Sequence, residues 1–366
     1  MIRREEAATL TGIRGIAALL VVLHHARMTL GDATAEALSF LQEGRMAVDV
    51  FFLLSGWVMA HVYSDRMNAE TGIGPTATSF IIARIARTYP THVFALVTLA
   101  LFETLRPFVG LGGPPVGGNE RFAPWALVSH VLMLNGLGVH PGLSWNFPSW
   151  SISAEFIAYL SFPLLALLSF GAKPKKLVAG TIVLLCADAA LLHLHHLGMA
   201  EMVFDLGLPR ALIGFSAGVF LREIHENKAF RPSANLAEAI VWLAFVTFAA
   251  GLAVGPGLHP ALLLIPAAML IHAAPFVTGI AGKTLSCSSI QWLGRISYSL
   301  YITHAIILHA WEQWAALRPS VSLIDSTTGL AILFLAILPC CLLVGQLTHS
   351  LVEKPMRERI LANIRR

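Results

Sequence analysis

An arginine and a histidine stand eleven residues apart in the aliphatic segment RGIAALLVVLHH. At about 100° per residue, this spacing returns Arg14 and His25 to one helix face, about 16 Å apart along the axis, while His24 points elsewhere. A neutral imidazole accepts a proton from a hydroxyl group, and a guanidinium group binds phosphate oxygens. The spacing therefore predicts a general base and an anion anchor on one face. The alternative is a snorkelling arginine and an unrelated interfacial histidine.

Two carboxylates lie in other apolar segments. Asp49 stands at the start of VDVFFLLSG, where we place it level with His25, and Glu155 stands in SWSISAEF, one helical turn after Ser151. Because a carboxylate can fix the tautomer of an imidazole and raise its basicity, we expect Asp49 or Glu155 to orient His25. The alternatives are a helix cap for Asp49 and a purely structural hydrogen bond for Glu155.

A further pair of arginines occurs in ARIARTYP, where Arg84 and Arg87 are three residues apart and share a helix face. With Arg14 they are expected to form a basic cluster at one depth. Arginine forks match phosphate oxygens, so the cluster predicts a phosphorylated ligand that enters from the cytoplasm. Simple anchoring by the positive-inside rule is the alternative for Arg84 and Arg87.

Two more groups of polar residues are expected to support the site. Ser149 and Trp150 open the fourth apolar segment, and Ser297, Tyr301 and His304 follow the i, i+4, i+7 spacing of one helix face in RISYSLYITH. We place His304 near the middle of the membrane. A packed stripe of interhelical hydrogen bonds explains the last three residues as well as direct chemistry does.

No metal site is expected. The tract HLHH at 193–196 falls at a helix end without accompanying carboxylates or cysteines. The four cysteines have no metal-ligand spacing and lie in or beside apolar runs, where packing explains them. The sequence also lacks the HExxH, P-loop and GxSxG motifs of other common chemistries.

The elements that must position these residues are membrane helices. Of the 366 residues, 56% are hydrophobic and only 13% are charged, and the mean hydropathy is +0.70. Apolar runs of about 20 residues suit membrane crossing. We therefore predict an all-α polytopic membrane protein with one domain and about ten transmembrane helices. They are placed at 9–27, 45–64, 79–105, 148–170, 176–198, 203–222, 235–254, 257–279, 293–316 and 328–352. Within the second, Ser55 and Gly56 are expected to permit close helix packing.

Basic residues predict the orientation of the chain, because lysine and arginine are enriched on the cytoplasmic side. The basic groups expected there are Arg3 with Arg4, KPKK at 173–176, Arg222 with Lys228 and Arg231, and the C-terminal KPMRERILANIRR. Ten crossings put all of them on one side, with both termini cytoplasmic. A crossing at 125–139 would separate them, so we expect this segment to be re-entrant or a short helix at the outer surface. Anchoring accounts for the formal net charge of +4, and no nucleic-acid partner is expected.

Six motifs together resemble the acyltransferase-3 family of integral-membrane acyltransferases, whose best-known members O-acetylate bacterial surface polysaccharides. In order, the motifs are Arg-x10-His at Arg14 and His25, VDVFFLLSG, Arg-x-x-Arg at Arg84 and Arg87, SWSISAEF, SYSLYITH, and Glu-x-Pro-x-Arg at Glu353, Pro355 and Arg357. Two positions depart from the family pattern: Ala47 replaces a frequent glycine and Trp57 a usual phenylalanine. The resemblance covers nearly the whole chain, which we divide into a transmembrane domain at 1–355 and a cytoplasmic basic tail at 356–366.

The resemblance implies an acyl-CoA donor, expected to be acetyl-CoA, and a hydroxyl acceptor, expected to be a carbohydrate or glycolipid at a bacterial cytoplasmic membrane. Arg14, Arg84 and Arg87 would meet the phosphates of CoA, and His25 would take the proton of the acceptor hydroxyl. Transfer is expected to be direct, with an acyl-enzyme on Ser149 as the alternative. Many relatives carry an appended extracytoplasmic domain, whereas this chain ends soon after its last span, so it would act alone or with a separate extracytoplasmic partner protein.

A proton-coupled transporter of a polar solute is the alternative function, with His25, Asp49, Glu155 and His304 as a proton relay. A transporter has no need of three arginines in register with a histidine, whereas a CoA-dependent enzyme does. The sequence therefore favours a membrane O-acyltransferase.

Overall fold

The computed structural model describes residues 4–63, 73–113, 115, 118–140, 142–194, 206–227, 231–254, 260–318, 321 and 324–364. These residues form helices, turns and irregular connections, with no strand among them. Such a structure satisfies the backbone hydrogen bonds of each apolar segment within the segment itself, as a lipid environment requires. The all-α prediction is confirmed for this part of the chain.

Ten principal helices of the described residues overlap the ten predicted apolar segments. They are α1 (Arg4–Thr29), α2 (Ala47–Tyr63), α3 (Ile73–Leu105), α4 (Ser149–Ser169), α5 (Pro174–Leu194), α6 (Gly207–Glu226), α7 (Ala234–Val254), α8 (Leu264–Ala273), α9 (Ser288–Ala316) and α10. The last, α10, is continuous and consists of Ser326–Ile332, Leu338–Thr348 and Lys354–Ile364, joined by π-helical turns at Leu333–Ile337 and His349–Glu353. Shorter helices are Asp32–Ala37, Ser39–Met46, Arg106–Val109, Gly118–Arg121, Pro124–Val131, Pro260–Leu263, Ala274–Phe276 and Ile280–Leu285.

Six helical stretches in the described residues are long and apolar enough to cross a membrane. They are Ala8–Thr29, Ser39–Tyr63, Ala77–Val109, Ser149–Ser169, Ala234–Val254 and Ser326–Asn363. The others are shorter or more polar; α6, for example, carries Arg210, Arg222 and Glu223. An integral-membrane protein is therefore supported, whereas the number of ten crossings and the location of the termini stay predictions.

Glycines bring the central helices into close contact. A Cβ atom on Gly15 of α1 would lie 2.6 Å from the backbone nitrogen of Gly294 in α9, so a larger residue at this position would push the two helices apart. Gly56 of α2 and Gly218 of α6 meet the opposite helix backbone even more closely. The expected packing role of Gly56 is confirmed. Small residues at such contacts are the usual way in which membrane helices approach one another.

The segment at 125–139 contains the helix Pro124–Val131, followed by turns. Eight residues extend about 12 Å, far less than a membrane core. The carbonyl oxygen of His130 accepts a hydrogen bond from Nε2 of His92 in α3, at 2.8 Å. A helix of this length agrees with the expectation of a re-entrant segment or a short helix, whereas the number of crossings and the location at the outer surface stay predictions.

Candidate active site

A cavity of about 290 Å³ lies between α1, α2, α3, α4 and α9. Its walls include all three arginines that the sequence assigns to an anion site, and also Glu155. Arg14 comes from α1, Arg84 and Arg87 come from α3, and Glu155 comes from α4. The structure thus brings together four predicted residues that are spread over more than 140 positions of the sequence.

The predicted shared face of Arg14 and His25 is confirmed by their contacts with α9. Arg14 donates from Nη2 to the carbonyl oxygen of Gly294 at 2.8 Å, and Nδ1 of His25 lies 3.0 Å from Nε2 of His304. The two contacts are ten residues apart on α9 and eleven apart on α1, so the two helices run in the same direction. His24 points away and hydrogen-bonds the backbone oxygen of Leu41.

The arginines of the cavity retain unused hydrogen-bond donors. Arg87 makes no hydrogen bond or ion pair with any described residue, and Nε of both Arg14 and Arg84 is buried without a partner. The Arg84 guanidinium lies 5.9 Å from the ring centroid of Tyr159, a cation–π contact that leaves its N–H groups available. Each guanidinium carries five N–H donors in a fixed fork. The cavity is therefore equipped to bind an oxyanion.

Two carboxylates balance only part of this positive charge. Glu155 accepts a hydrogen bond from the Tyr159 hydroxyl at 2.8 Å and lies within the electrostatic range of Arg84 and Arg87. Glu353 of α10 accepts from the Ser299 hydroxyl at 2.7 Å and acts on Arg14 and Arg87. Three guanidinium groups thus face two carboxylates, so the cavity has an excess of positive charge.

Asp49 does not lie at this site. It forms a buried ion pair with Arg210 of α6, with Oδ2 2.6 Å from Nη2 and side-chain exposures of only 2% and 3%. Asp188 of α5 lies nearby and is also buried. Arg210 was absent from the sequence prediction. An arginine within an apolar helix normally requires a buried acidic partner, and this rule was the signal that could have identified it.

The expectation that Asp49 or Glu155 orients His25 is therefore corrected, because its partner is His304. Nδ1 of His304 lies 2.7 Å from the carbonyl oxygen of Tyr301, which only accepts, so this nitrogen carries a hydrogen. In the neutral ring Nε2 of His304 is then an acceptor, and the 3.0 Å contact requires Nδ1 of His25 to be the donor. This assignment leaves Nε2 of His25 with a free lone pair.

Aromatic rings surround the histidine pair. The Phe147 ring packs edge-on against His25, with centroids 4.8 Å apart, and the pair stacks with an interplanar angle of 11°. Neither histidine lines the cavity. Tyr301 stands between the cavity and His304, and the ring centroids of Tyr301 and His304 are 6.0 Å apart. Phe147 was missed from the sequence because only the fold brings the loop before α4 against α1.

A family model described as an acyltransferase domain matches residues 8–346. The chain belongs to the acyltransferase-3 family. Its relatives include acyltransferase MdmB of Streptomyces mycarofaciens, 26% identical over 95% of this chain and 90% of the relative. Peptidoglycan O-acetyltransferase OatA of Listeria monocytogenes is 23% identical over 98% of this chain, which spans 57% of its length. Protein 2 in the picA locus of Rhizobium radiobacter is 34% identical over 42% of this chain and 78% of its own. No solved structure matches.

Two residues expected to support the site of this acyltransferase are packed outside the cavity. Ser149 donates to the backbone oxygen of Asn146 at 2.7 Å, accepts from Asn135 at 2.9 Å and is 0% exposed. The Trp150 ring lies 5.9 Å below the Arg210 guanidinium. Ser149 therefore has no access for a covalent intermediate, and it fixes the start of α4. Its neighbour Ser151 reaches the cavity instead and hydrogen-bonds the Tyr301 hydroxyl at 2.7 Å.

The two departures from the family pattern lie away from the arginines of the acyltransferase. Trp57 stacks on His61, with ring centroids 5.2 Å apart, and Ala47 begins α2 without contributing to the cavity. Among the described residues there is no cluster of three potential metal ligands. Of the histidine-rich tract, His195 and His196 lie outside those residues.

Proposed function

We propose that this acyltransferase transfers an acetyl-sized acyl group from cytoplasmic acyl-CoA to a hydroxyl group of a carbohydrate or glycolipid on the other side of the membrane. The observation that carries the proposal is a cavity lined by three arginines at one end, whose other end, at Tyr301, adjoins a histidine pair in which Nε2 of His25 is free. Neither feature is required for transport of a neutral polar solute, and membership of an acyltransferase family favours transfer over the alternative of a proton-coupled transporter.

The donor is held by charge and by shape in this proposal. The phosphates of CoA bind Arg14, Arg84 and Arg87 through bidentate hydrogen bonds. At about 290 Å³ the cavity is at the small end of ligand pockets, which are about 300–1,000 Å³, so it suits the narrow pantetheine arm while the adenosine group stays at its mouth. The arm then extends along α1 towards His25, over the 16 Å or so that separate eleven helical residues.

The chemical step uses the free nitrogen of His25. Nε2 takes the proton of the acceptor hydroxyl while the hydroxyl oxygen attacks the thioester carbonyl and forms the new C–O bond. The C–S bond then breaks, and the proton on Nε2 passes to the leaving thiolate, so that CoA leaves as a thiol. His304 holds the ring of His25 through its hydrogen bond at Nδ1 in both protonation states. Bringing the two reactants together in one geometry supplies much of the rate.

The acceptor and the membrane arrangement are also proposals. The name of OatA gives peptidoglycan as its acceptor, which supports a carbohydrate hydroxyl for this chain. Ten crossings of a bacterial cytoplasmic membrane, with both termini in the cytoplasm, put the basic residues and the arginine end of the cavity on the side where acyl-CoA is made. A separate extracytoplasmic partner that receives or presents the acceptor is compatible with this arrangement.

Adjacent histidines provide a matched test of the proposed base. We expect His25→Gln to lower transfer by at least about a hundredfold, the lower end of the usual contribution of a general base. His24→Gln is the control, because its amide can still donate to the Leu41 oxygen. The measurement is mass spectrometry of acyl groups on surface glycans and exported metabolites from cells that express each variant at equal level. Undiminished acylation with His25→Gln would eliminate this histidine as the base.

A further inference from the structure

The cavity ends at a pair of aromatic rings. Phe51 of α2 and Tyr301 of α9 both line it, and their ring centroids lie 5.7 Å apart at an interplanar angle of 69°. Beyond Tyr301 comes His304, and beyond His304 comes His25. The two rings therefore stand between the arginine cavity and the histidine pair.

The positions of the two ends follow from contacts along α4. Tyr159 lies under the Arg84 guanidinium, and Ser151 hydrogen-bonds Tyr301. These residues are eight positions apart on one helix, a distance of about 12 Å. One end of the cavity is thus cationic, and the other end is narrowed by Phe51 and Tyr301.

The Tyr301 side of this constriction is fixed. Its hydroxyl lies 2.7 Å from the Ser151 hydroxyl and donates to the backbone oxygen of Pro148 at 3.2 Å, and its side chain is buried. The remaining lining at this end consists of apolar side chains, from Val48, Phe52 and Ile152. Those three side chains are buried in the surrounding helices, whereas Phe51 is only half-buried, so the size of the Phe51 ring determines the free space.

We propose that Phe51, packed against the fixed ring of Tyr301, limits the acyl group of the donor to a short chain. This inference rests on the proposed function, in which the phosphates occupy the arginine end and the thioester approaches the histidines. The acyl carbons then lie in the apolar space beside Phe51, where every added methylene group competes with the phenyl ring. A difference of one methylene group in an apolar pocket changes selectivity by about 10- to 200-fold.

The test compares acetyl-, propionyl-, butyryl- and hexanoyl-CoA binding to the purified full-length chain in detergent, with free CoA as reference. Wild type should bind acetyl-CoA at least about tenfold more tightly than butyryl-CoA. Phe51→Ala should reduce this ratio to within about threefold, and Phe51→Leu should give an intermediate ratio. If Phe51→Ala does not fold, the affinity ratio of Phe51→Leu is compared with that of wild type instead.

Val62→Ala is the matched control, because it also shortens a cavity-lining side chain of α2 but lies three turns from Phe51. It should keep the wild-type ratio. If the ratio is the same in wild type and in both Phe51 variants, Phe51 does not set the chain length. If wild type binds neither CoA nor any acyl-CoA, the donor assignment itself is wrong, so the two failures are distinguishable.

Discussion

One carbonyl oxygen determines which nitrogen of the histidine pair is free to act. The Tyr301 oxygen accepts from His304, His304 accepts from His25, and Nε2 of His25 is left with its lone pair. A carboxylate in the place of His304 would also fix the tautomer, and it would hold the proton on His25 more strongly. The structure instead uses Asp49, the carboxylate predicted at this depth, to neutralise Arg210.

The pairing of Asp49 with Arg210 predicts a structural rather than a catalytic effect of mutation. Asp49→Asn leaves Arg210 buried without the charge of its closest partner, and we expect the free energy of unfolding to fall by about 3–5 kcal/mol. The double variant Asp49→Asn with Arg210→Gln should lose less than the sum of the single losses. The measurement is unfolding in detergent for the four proteins of this cycle.

The activity of the same double variant separates the two roles of Asp49. If its carboxylate serves only the ion pair, the stable double variant keeps substantial transfer activity. If the double variant is folded and as abundant as wild type but inactive, Asp49 has a catalytic role besides the ion pair.

At the scale of elements, the site depends on how closely α1 approaches α9. Arg14 and His25 both meet α9, and Gly15 provides the contact between the two backbones. The spacing of eleven residues predicts that these two side chains share one helix face, because the period of a helix is fixed. It could not predict the partner, since which helix α1 packs against depends on contacts between distant parts of the chain.

A methyl group at this contact should separate the helices. We expect Gly15→Ala to weaken both the Arg14 contact with Gly294 and the pairing of His25 with His304. The variant should have a lower melting temperature and at least about tenfold slower transfer, because a displacement of about 1 Å can lower a rate about a hundredfold. Gly112→Ala is the control, because a Cβ atom there meets nothing within 4 Å. Equal behaviour of the two variants would show that the close approach is not needed.

At the scale of the whole molecule, composition and charge predict the helical class, but they do not determine which side chains meet at the site. The predicted apolar segments contain helices because apolar length is a local property. The distribution of basic residues predicted no full crossing at 125–139, and the helix there, Pro124–Val131, is short. The site was predicted in part: three arginines and Glu155 meet in one cavity, whereas Ser149 and Trp150 are packed elsewhere. Adjacent residues at the start of α4 point to different parts of the protein: Ser151 lines the cavity, whereas Ser149 and Trp150 do not. Which of them reaches the cavity depends on how the helices pack, and the sequence does not show this.

The orientation of the chain predicts a simple pattern of labelling. A single cysteine at Ala172, between α4 and α5, should react with a membrane-impermeant maleimide only after the membrane is permeabilised. A cysteine at Gly112, in the loop after α3, should react in intact cells. The four native cysteines are replaced beforehand, and labelling is measured on a gel. Labelling of both positions from the same side would overturn the arrangement of ten crossings.

The contact between His25 and His304 joins residues that are 279 positions apart. Because ribosomes make the chain from its N-terminus, α1 enters the membrane long before α9 exists. The proposed base therefore has no partner during most of synthesis, and its tautomer is set only when α9 arrives and docks beside Gly15. Acid–base chemistry is thus tied to the completion of folding, and a chain released before α9 is made would have the arginines of the cavity without an oriented base.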